Sequence, residues 1–460
     1  MNFDSVVCGF AALRRRFSFC IRVYLRLSAV TVLLLAAAPA LATLPIQHWQ
    51  TKGGARVYFV ENHDLPMLDI SVEFPAGAGY DQPAKSGVAS MAQRLLRSGV
   101  DGLSENDVAR RLADVGAQLG GRFDFDRAGL SLRTLSSARE RRPALDVFSR
   151  LLSVPDYPEE VLEREKVRLT GALKEADTKP DTIAARTFFR LAYGTHPYAM
   201  RESGEVETVA SITRADLAAF HRRHYAGRYA VVALIGDVTR AEAEAIADQV
   251  TRRLPGAGGQ EPALPPVAAL AAGETRLVAH HASQAHLTIG APGVARGDPD
   301  YIALYVGNFV LGGGGFMSRM TEEVRQKRGL AYSAASYFHP LQREGPFIIS
   351  LQTRRDQAGE ALAVARTTLA EFVKSGPTPE ELAAAKRNIV NSFPLRIDSN
   401  RKIHEYLALI GFYRLPLGYL EEFVKDVERV SAANIRDAFQ RRIRPDRMVT
   451  VVVGGDTDKK

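Results

Sequence analysis

Strand-like and helix-like hydrophobic patterns follow one another along the chain in an order that occurs twice. Four segments of the first half have the apolar content or the alternation typical of strands: residues 56–60, 68–74, 121–125 and 128–135. Helical periodicity predicts four helices between and after them: residues 89–96, 105–115, 138–152 and 158–176. The apolar run 231–235 then predicts a buried strand that closes this half.

The second half repeats this order, which is the strongest internal signal in the sequence. Residues 157–160 (Tyr-Pro-Glu-Glu) return as 378–381 (Thr-Pro-Glu-Glu), each with the proline and the acidic residues of a helix start. The closing strand returns within residues 448–453. The repeat predicts an α+β protein of two homologous domains, each a mostly antiparallel β-sheet covered by α-helices.

A length of 460 residues suits two domains better than one. We place the domains at residues 43–254 and 271–460, joined by a linker at 255–270 whose first part is rich in proline and glycine. With 46% hydrophobic and 24% charged residues, the composition is that of a globular protein and not of a disordered or fibrous one.

The N-terminus has the pattern of a secretion signal, which we predict over residues 1–42. Five arginines precede the apolar run 27–38, and Ala40-Leu41-Ala42 has the small residues of a cleavage site. The run is short for a membrane span, although an uncleaved anchor is the alternative. A twin-arginine route is a weaker alternative to general secretion. A cleaved signal predicts a periplasmic protein without a stable membrane anchor.

Removal of this signal changes both the charge and the cysteine content. The full chain carries a formal charge of +8, and the loss of five Arg and one Asp lowers it to +4. That small excess, without a basic run interleaved with aromatic residues, argues against nucleic acid as a partner. Cys8 and Cys20 both lie in the signal. The mature chain therefore has no disulfide, thiolate nucleophile or cysteine metal ligand.

Four consecutive glycines interrupt the second half: Gly312, Gly313, Gly314 and Gly315. Glycine is costly inside helices and strands, so the run predicts a loop. The residues behind it predict a helix over 317–327 that ends at Gly329, followed by an extended segment from Ala331. A glycine loop can cradle phosphate, but no Gly-Lys-Ser/Thr follows, which leaves phosphate binding as a minor alternative.

This stretch, with Arg325 and Tyr332 seven residues apart, resembles the C-terminal half of the pitrilysin/insulinase family of zinc peptidases. The resemblance covers essentially all of the mature chain and implies the metallohydrolase fold of mitochondrial processing peptidase. It implies that Arg325 and Tyr332 clamp substrate carbonyls and help to stabilise the oxyanion in the active site of a partner chain. It also implies that Gly312–Gly315 pass the substrate backbone and that Phe316 packs beside it.

The internal repeat supplies a control for this pair. When the two halves are aligned, Leu112 stands opposite Arg325. Leu119 stands opposite Tyr332. The first half thus has apolar residues where the second has two hydrogen-bond donors. A position needed only for packing would not have to become polar, so the pair is a candidate functional site.

The same family carries its zinc on a His-x-x-Glu-His helix preceded by Ser-Gly-small-Ala, which this chain keeps at residues 86–89. Two histidines one helical turn apart present nitrogens to Zn²⁺, and the glutamate acts as the general base. The corresponding positions here are Ser90 and Arg94 for the histidines, Gln93 for the base and Ala172 for the third ligand. A guanidinium is a permanent cation, and glutamine cannot accept a proton at neutral pH. We therefore expect no metal in this chain.

Two histidine pairs are alternative metal ligands. His221 and His224 lie one turn apart on a predicted helix, but no acidic third ligand is near in sequence, so packing or surface roles are favoured. His280 and His281 are predicted to lie in a strand, where adjacent side chains face opposite sides and do not converge. Residues 194–198 match a family loop of structural role.

Together these features predict the zinc-free subunit of a periplasmic, heterodimeric peptidase of this family. A separate homologous chain would supply the zinc site, and unfolded peptides would be the substrates. One alternative is a peptide-binding or structural scaffold without a proteolytic partner, although a scaffold has no need of a clamp at Arg325 and Tyr332. An independent enzyme is the third alternative, and no catalytic constellation supports it.

Overall fold

The structure is a computed structural model that describes residues 45–100, 102–256 and 258–455. The predicted signal, residues 1–42, lies outside the described residues. Residues from Pro45 onward form one compact unit.

The strands are β1 Gln47–Gln50, β2 Arg56–Glu61, β3 Met67–Phe74, β4 Gly99–Val100, β5 Leu103–Ser104, β6 Gln118–Phe123, β7 Ala128–Leu135, β8 Val231–Gly236, β9 Glu274–Val278, β10 Gln284–Val294, β11 Ala331–Phe338, β12 Gly345–Arg354 and β13 Val449–Val453. The α-helices are α1 Val88–Leu95, α2 Glu105–Ala113, α3 Ala138–Ser153, α4 Glu159–Ala176, α5 Pro180–Tyr193, α6 Val206–Ala210, α7 Arg214–His224, α8 Arg240–Thr251, α9 Tyr301–Asn308, α10 Ala358–Ser375, α11 Pro379–Ser392, α12 Asn400–Tyr413, α13 Tyr419–Arg429 and α14 Ala432–Arg442.

The strands form two large sheets with the same path. The first sheet has the order β1-β2-β8-β3-β7-β6, and the second has the order β11-β12-β10-β13-β9. Neighbouring strands are antiparallel except for one parallel pair in each sheet, β2 with β8 and β9 with β13. The path β6-β7-β3-β8-β2 therefore recurs as β11-β12-β10-β13-β9. The prediction of an α+β fold with mostly antiparallel sheets is confirmed, while the domain boundaries at residues 254 and 271 stay a prediction.

Several element ends differ from the prediction. Strand β6 spans Gln118–Phe123 instead of 121–125, because pairing with β7 continues back to Gln118. Helix α2 begins at Glu105 as predicted, since Ser104 accepts a hydrogen bond from the backbone N–H of Asp107 and completes a capping box. Helix α5 was not predicted. Its signal is Pro180 at the first turn, followed by an acidic residue and an apolar periodic segment.

The side chains of strand β3 alternate between the two faces of the first sheet. Its even-numbered residues Leu68, Ile70 and Val72 are fully buried in the core that the sheet forms with α1, α3 and α8. Successive side chains of a strand point to opposite faces, so Asp69, Ser71 and Glu73 belong to the other face. That second face is the one on which α12 packs.

The two halves exchange a helix. Helix α5, from the first half, packs against β10 and β13 of the second sheet, where Phe188 is fully buried beside Ile348 and Val451. Helix α12, from the second half, packs against β8, β3 and β2 of the first sheet. Each helix covers a face of the other half's sheet, which explains why the described chain from Pro45 is one compact unit.

Asp126 is a further link between the halves. It is fully buried and accepts hydrogen bonds from the hydroxyls of Tyr198 (2.5 Å) and Tyr413 (2.8 Å) and from the backbone N–H of Gln342 (2.7 Å). Burial raises the pKa of Asp126 to about 6, although the two tyrosine hydroxyls act in the opposite direction. The carboxyl therefore ties a first-half turn to α12 and to the segment before β12.

The predicted linker packs against both halves. Leu264 is buried with α5 residues, and its carbonyl accepts from Arg343 Nε at 2.9 Å. The hydroxyl of Tyr229 lies 2.8 Å from the carbonyl oxygens of both Gly259 and Gln260 and donates its one hydrogen to this pair. These contacts anchor the segment along the surface. Among the described residues, no helix combines the length and the hydrophobicity needed to cross a bilayer.

Candidate functional site

The glycine run is only partly a loop. Gly312 and Gly313 end a π-helical segment, Phe309–Gly313, that continues α9, and Gly315 begins the 3₁₀ turn Gly315–Met317. The prediction of a loop is therefore wrong for Gly312 and Gly313. Close packing is the physical reason, because a Cβ at Gly312 would lie 2.4 Å from Ser336 Oγ.

The last two glycines serve the turn itself. A Cβ at Gly314 would lie 2.5 Å from the carbonyl oxygen of Phe309. Gly315 has a φ of +61°, a conformation that favours glycine, and the space around its missing Cβ is open. Gly313 and Gly315 are exposed, whereas Gly312 is buried. The run thus changes from a packed helix end to an exposed turn.

Buried polar side chains hold this segment against β11. Asn308 Nδ2 donates to the carbonyl of Ser336 (3.0 Å), and Ser336 Oγ donates to Asn308 Oδ1 (2.6 Å). Thr321 Oγ1 donates to the carbonyl of Ala334 (3.2 Å) and lies 3.1 Å from Ser318 Oγ. Sequence reasoning missed these residues. The sequence feature that could have indicated them is Asn308, a polar residue next to an apolar run. A polar side chain buried in such a run needs a hydrogen-bond partner.

Behind the glycines, the chain is helical from Arg319 and π-helical over Thr321–Gln326. Gly329 ends this segment with a φ of +64°. Its N–H donates to the carbonyl of Arg325, and the N–H of Leu330 donates to that of Val324, both at 2.9 Å. The predicted end at Gly329 and the predicted extended segment, which is β11 from Ala331, are confirmed.

Arg325 is in contact with two aromatic rings. Its guanidinium carbon is 4.9 Å from the ring centroid of Phe316 and 4.9 Å from that of Tyr332. Both distances lie within the range of cation–π attraction. The structure thus brings together three of the residues singled out in the sequence: one from the glycine turn, one from the π-helical segment and one from β11.

The clamp, as we call Phe316, Arg325 and Tyr332, is open to solvent. Phe316 and Tyr332 are 68% and 81% exposed, and Arg325 is half-buried. Tyr332 lies on β11, the edge strand of the second sheet. A hydroxyl and a guanidinium are fixed donors, suited to carbonyl oxygens and to a developing negative charge.

The predicted zinc helix forms as α1 in the first half. Asp81 caps it, because its carboxylate accepts from the backbone N–H groups of Gly87 (2.7 Å) and Ala89 (2.8 Å). Burial raises the pKa of Asp81 to about 7, while these two donors act in the opposite direction. The Ser-Gly-small-Ala stretch is therefore the start of this helix, as the resemblance implies.

The side chains at the zinc positions do not fit a metal ion. Arg94 Nε donates to Ser90 Oγ over a long 3.4 Å, and Gln93 Nε2 donates to the carbonyl of Gly129 at 3.5 Å. Ser90 and Gln93 are buried, whereas Ala172 is exposed on α4. Burial lowers the pKa of Arg94, and the charge of Arg168 on α4 adds to this. Zn²⁺ needs deprotonated N, O or S ligands, and this set offers a guanidinium and an amide instead.

The alternative histidine pairs have packing contacts. His221 Nε2 donates to the carbonyl of Leu152 (2.8 Å), and His224 Nδ1 donates to that of Pro75 (2.9 Å). Burial lowers the pKa of each to about 4, so both rings are neutral at pH 7. Packing or surface roles were favoured for this pair, and burial of both rings shows that packing is their role.

His280 and His281 lie between β9 and β10 rather than in a strand, and their rings stack at 4.6 Å, so the prediction of opposed side chains is wrong. The loop between β9 and β10 frees both rings from the alternation of a strand. Within the described residues, no group of three or more His, Cys, Asp or Glu side chains could hold a metal ion.

The fold and the site together place this chain in the class of zinc-peptidase-like proteins, but the residues at its zinc-ligand positions cannot bind zinc. Residues 211–389 match the family model described as the inactive domain of peptidase M16. The crystal structure of a peptidase M16 inactive domain from Pseudomonas fluorescens has a TM-score of 0.86 and 37% sequence identity, covering 91% of this chain and 99% of that one. The chain belongs to the peptidase M16 family, the family of the resemblance found in its sequence.

Two further relatives differ in what their names say. A "non-peptidase homolog" of Helicobacter pylori is 25% identical and covers 83% of this chain and 87% of its own length. An "uncharacterized zinc protease" of Streptomyces coelicolor is 28% identical and covers 75% of this chain and 76% of its own length. The family thus includes relatives named for either role, and this chain is an inactive member of it.

Proposed function

We propose that this chain is the zinc-free subunit of a periplasmic heterodimeric peptidase. In this proposal, Arg325 and Tyr332 reach the active site of a homologous partner chain, whose His-x-x-Glu-His helix holds the zinc and cuts the peptide. The observation that carries the proposal is the clamp, in which a half-buried Arg325 is held 4.9 Å from each of two exposed rings. Side chains held so in an exposed position are prepared for a ligand.

The chemistry of the clamp suits a peptide bond under attack. Arg325 and Tyr332 offer N–H and O–H donors to the carbonyls of the substrate and to the oxyanion that forms on it. A preorganised donor of this kind contributes about 3 kcal/mol to the stability of a transition state. Phe316 is a second ring in contact with the guanidinium, which limits the orientations that Arg325 can take.

The glycine run divides into two roles. Gly313 and Gly315 are exposed, so a substrate backbone can approach them closely. Gly312 is buried against Ser336, and its part in the proposal is to keep the segment packed. Gly314 lies against the carbonyl of Phe309 and shapes the turn. Phe316 would pack beside the bound chain.

The proposed partner and location rest on the zinc-site residues and on the signal pattern. The partner is a homologous chain with intact zinc ligands, because Ser90, Gln93, Arg94 and Ala172 leave this one without them. The substrates are unfolded peptides that fit between the two chains. The signal pattern of residues 1–42 supports secretion to the periplasm.

Peptidase assays on reconstituted mixtures test the proposal. A quenched peptide is offered to this chain alone, to the zinc-bearing partner alone and to the two mixed. We expect activity in the mixture only, and its loss with Arg325→Ala or Tyr332→Phe. Arg276→Ala is the control, since Arg276 lies on β9 and pairs with Glu274 at 2.8 Å. A partner that is as active alone as in the mixture would refute the proposal.

A scaffold that binds peptides without a proteolytic partner is the second candidate. The replacement of all four zinc-site residues and the name of the Helicobacter relative favour it. In the same assay, a scaffold would bind the peptide but add no activity to any zinc-bearing homologue. Binding that is indifferent to Arg325→Ala would support the scaffold over the clamp.

A further inference from the structure

The segment behind the glycine turn carries five charged side chains within seven residues. Two of them are acidic, Glu322 and Glu323, and three are basic, Arg325, Lys327 and Arg328. They lie in the π-helical segment and directly after it. Because Arg325 belongs to the clamp, the way in which these five side chains pair decides which charge a substrate meets there.

Both acidic side chains of this segment are paired with basic ones. Lys327 Nζ lies 3.0 Å from Glu322 Oε1 and 2.6 Å from Glu323 Oε1. Arg328 Nη1 donates to Glu323 Oε2 at 2.6 Å and to the backbone carbonyl of Glu323 at 2.8 Å. The hydrogen bonds from Lys327 and Arg328 lower the pKa of Glu323. The two carboxylates are therefore charged and already in use.

Arg325 is the basic residue of this segment that lacks an acidic partner. Among the described residues, its guanidinium makes no ion pair and no hydrogen bond, and it contacts the rings of Phe316 and Tyr332. A guanidinium has five N–H donors, whose geometry matches that of a carboxylate. The pairing in this segment thus leaves the donors of Arg325 available to an acceptor from outside the chain.

The π-helical winding explains why Glu322 pairs with Lys327 and not with Arg325. The backbone N–H of Lys327 donates to the carbonyl of Glu322, five residues back, at 2.9 Å, so these two residues lie one turn apart. In an α-helix, residues three or four apart are neighbours, and Glu322 would then lie beside Arg325. The wider turn brings Glu322 to Lys327 instead.

The equivalent segment of the first half is wound differently. Leu112 stands opposite Arg325 in the alignment of the two halves. The same alignment sets Asp114 opposite Lys327. The N–H of Asp114 donates to the carbonyl of Arg110, four residues back, at 2.9 Å, as in an ordinary α-helix. The repeated fold therefore does not require π-helical winding here, and the half that has it is the half that carries Arg325.

We propose that Lys327 is a positioning residue of the clamp, which occupies Glu322 and so keeps Arg325 free for the substrate. Arg328 secures Glu323 in the same way. A free carboxylate beside Arg325 would compete for its donors and would repel the negative charge that develops on the substrate. The role in catalysis rests on the proposed function, whereas the pairing of Arg325 can be tested on this chain alone.

Chemical modification of Arg325 tests the pairing without a partner chain. Phenylglyoxal reacts with the neutral form of a guanidinium, and an ion pair with a carboxylate disfavours that form. Lys327→Met keeps the length of the side chain, removes its charge and releases Glu322. We expect Arg325 to react about two- to fivefold more slowly in this variant than in the wild type, and Glu322→Gln in the same background to restore the rate. Site-resolved mass spectrometry measures the rates, and equal rates in all three proteins would overturn the proposal.

Kinetics of the reconstituted peptidase test the role in catalysis. At low ionic strength, Lys327→Met should lower kcat/KM about two- to fivefold, the range of one exposed ion pair. Lys327→Arg should retain the activity, and Glu322→Gln/Lys327→Met should regain it. Added salt should reduce the loss, because it screens the released carboxylate. A loss that Glu322→Gln does not rescue would indicate a merely structural role of Lys327 and would overturn the proposal.

Lys425→Met is the matched control for both measurements. Lys425 Nζ pairs with Glu422 at 2.7 Å on α13, so this variant removes an exposed pair of the same kind from another helix and should change neither measurement. If the wild-type mixture has no peptidase activity, the proposed function falls, and the catalytic role of Lys327 falls with it. If the wild-type mixture is active and Lys327→Met behaves like Lys425→Met, only the role of Lys327 falls.

Discussion

The guanidinium of Arg325 and the ring of Tyr332 are in cation–π contact, with 4.9 Å between the guanidinium carbon and the ring centroid. The ring centroid of Phe316 lies at the same distance from the guanidinium carbon. Because the first two residues come from different elements, their contact depends on the turn at Gly329, which returns the chain along β11. The clamp is therefore a product of the fold and not of a single flexible loop.

Removal of the Phe316 ring should weaken the clamp without destroying it. An exposed cation–π contact contributes about 0.5–1 kcal/mol, so Phe316→Ala should lower kcat/KM of the reconstituted peptidase about two- to fivefold. Met317→Ala is the matched control, since Met317 is a neighbouring exposed side chain. Equal losses in the two variants would mean that the turn, and not the contact with Arg325, matters.

Tyr332→Phe should have a larger effect than Phe316→Ala. The variant keeps the ring that contacts Arg325 and removes only the hydroxyl, so the orientation of the guanidinium is retained. If the hydroxyl stabilises the oxyanion, its loss should lower kcat about 100-fold and change KM little. The measurement is steady-state kinetics of the mixture, and a change confined to KM would assign Tyr332 to substrate binding alone.

The sequence predicted conformation correctly where the signal is local, and it failed where tertiary packing determines the conformation. Gly329 was predicted to end a helix because a positive φ at that position is a local requirement, and its φ is +64°. Gly312 was predicted to lie in a loop, yet the packing of Ser336 against it favours a helical segment. In such a case tertiary packing overrides the intrinsic preference of glycine for a loop.

Long-range contacts were the part that the sequence could not predict. Asp126 joins Tyr198 and Tyr413, which lie 72 and 287 residues away in the chain. A cavity under α12 is likewise lined both by His404 of α12 and by Ser71 of β3. Neither pairing has a local signature, because both follow from the exchange of helices between the halves.

The hydroxyl of Tyr413 should stabilise the junction of the halves. Tyr413→Phe removes a donor to the buried carboxyl of Asp126, which should lower the free energy of unfolding by about 1–3 kcal/mol. Tyr225→Phe is the matched control, because its buried hydroxyl has no partner among the described residues. That variant should be neutral or slightly stabilising. Chemical denaturation of both would show the difference, and equal effects would contradict it.

Gly411 should be intolerant of any side chain. It lies on α12, where a Cβ would be 2.6 Å from Val231 Cγ1 and 2.7 Å from the ring of Tyr58. Gly411→Ala should therefore destabilise the protein by about 1–3 kcal/mol through overpacking. Gly171→Ala on α4 is the control, since nothing lies within 4 Å of its Cβ position. Alanine there should stabilise by about 1 kcal/mol. Losses of stability in both variants would contradict the argument.

Buried His221 should make the fold sensitive to acid. Its pKa is about 4 in the folded chain because of burial, against about 6.5 when unfolded. The unfolded state binds more protons in this window, so the stability that His221 contributes is present above pH 6.5 and lost as the pH falls towards 4. Between pH 7 and 5 the loss is about 2 kcal/mol. His221→Phe removes the proton site, so its stability deficit relative to wild type should shrink by that amount over the same interval. A deficit that stays constant with pH would refute this linkage.

Restoring the missing ligands should restore zinc binding to the first half. The positive charge of Arg94 would repel a zinc ion at this site. Helix α4 lies close to α1, since the charge of Arg168 on α4 adds to burial in lowering the pKa of Arg94. The variant Ser90→His/Arg94→His/Ala172→Glu replaces that cation by two imidazoles one helical turn apart and a carboxylate from α4.

We expect this variant to bind one zinc ion per chain, measured by metal analysis after dialysis, while the wild type binds none. The double variant without Ala172→Glu is the control and should bind at least about tenfold more weakly, because it offers two ligands instead of three. Gln93 remains in place in both, so zinc binding should come without peptide hydrolysis. A folded triple variant that retains no zinc would show that α1 and α4 do not keep the geometry of the metal site.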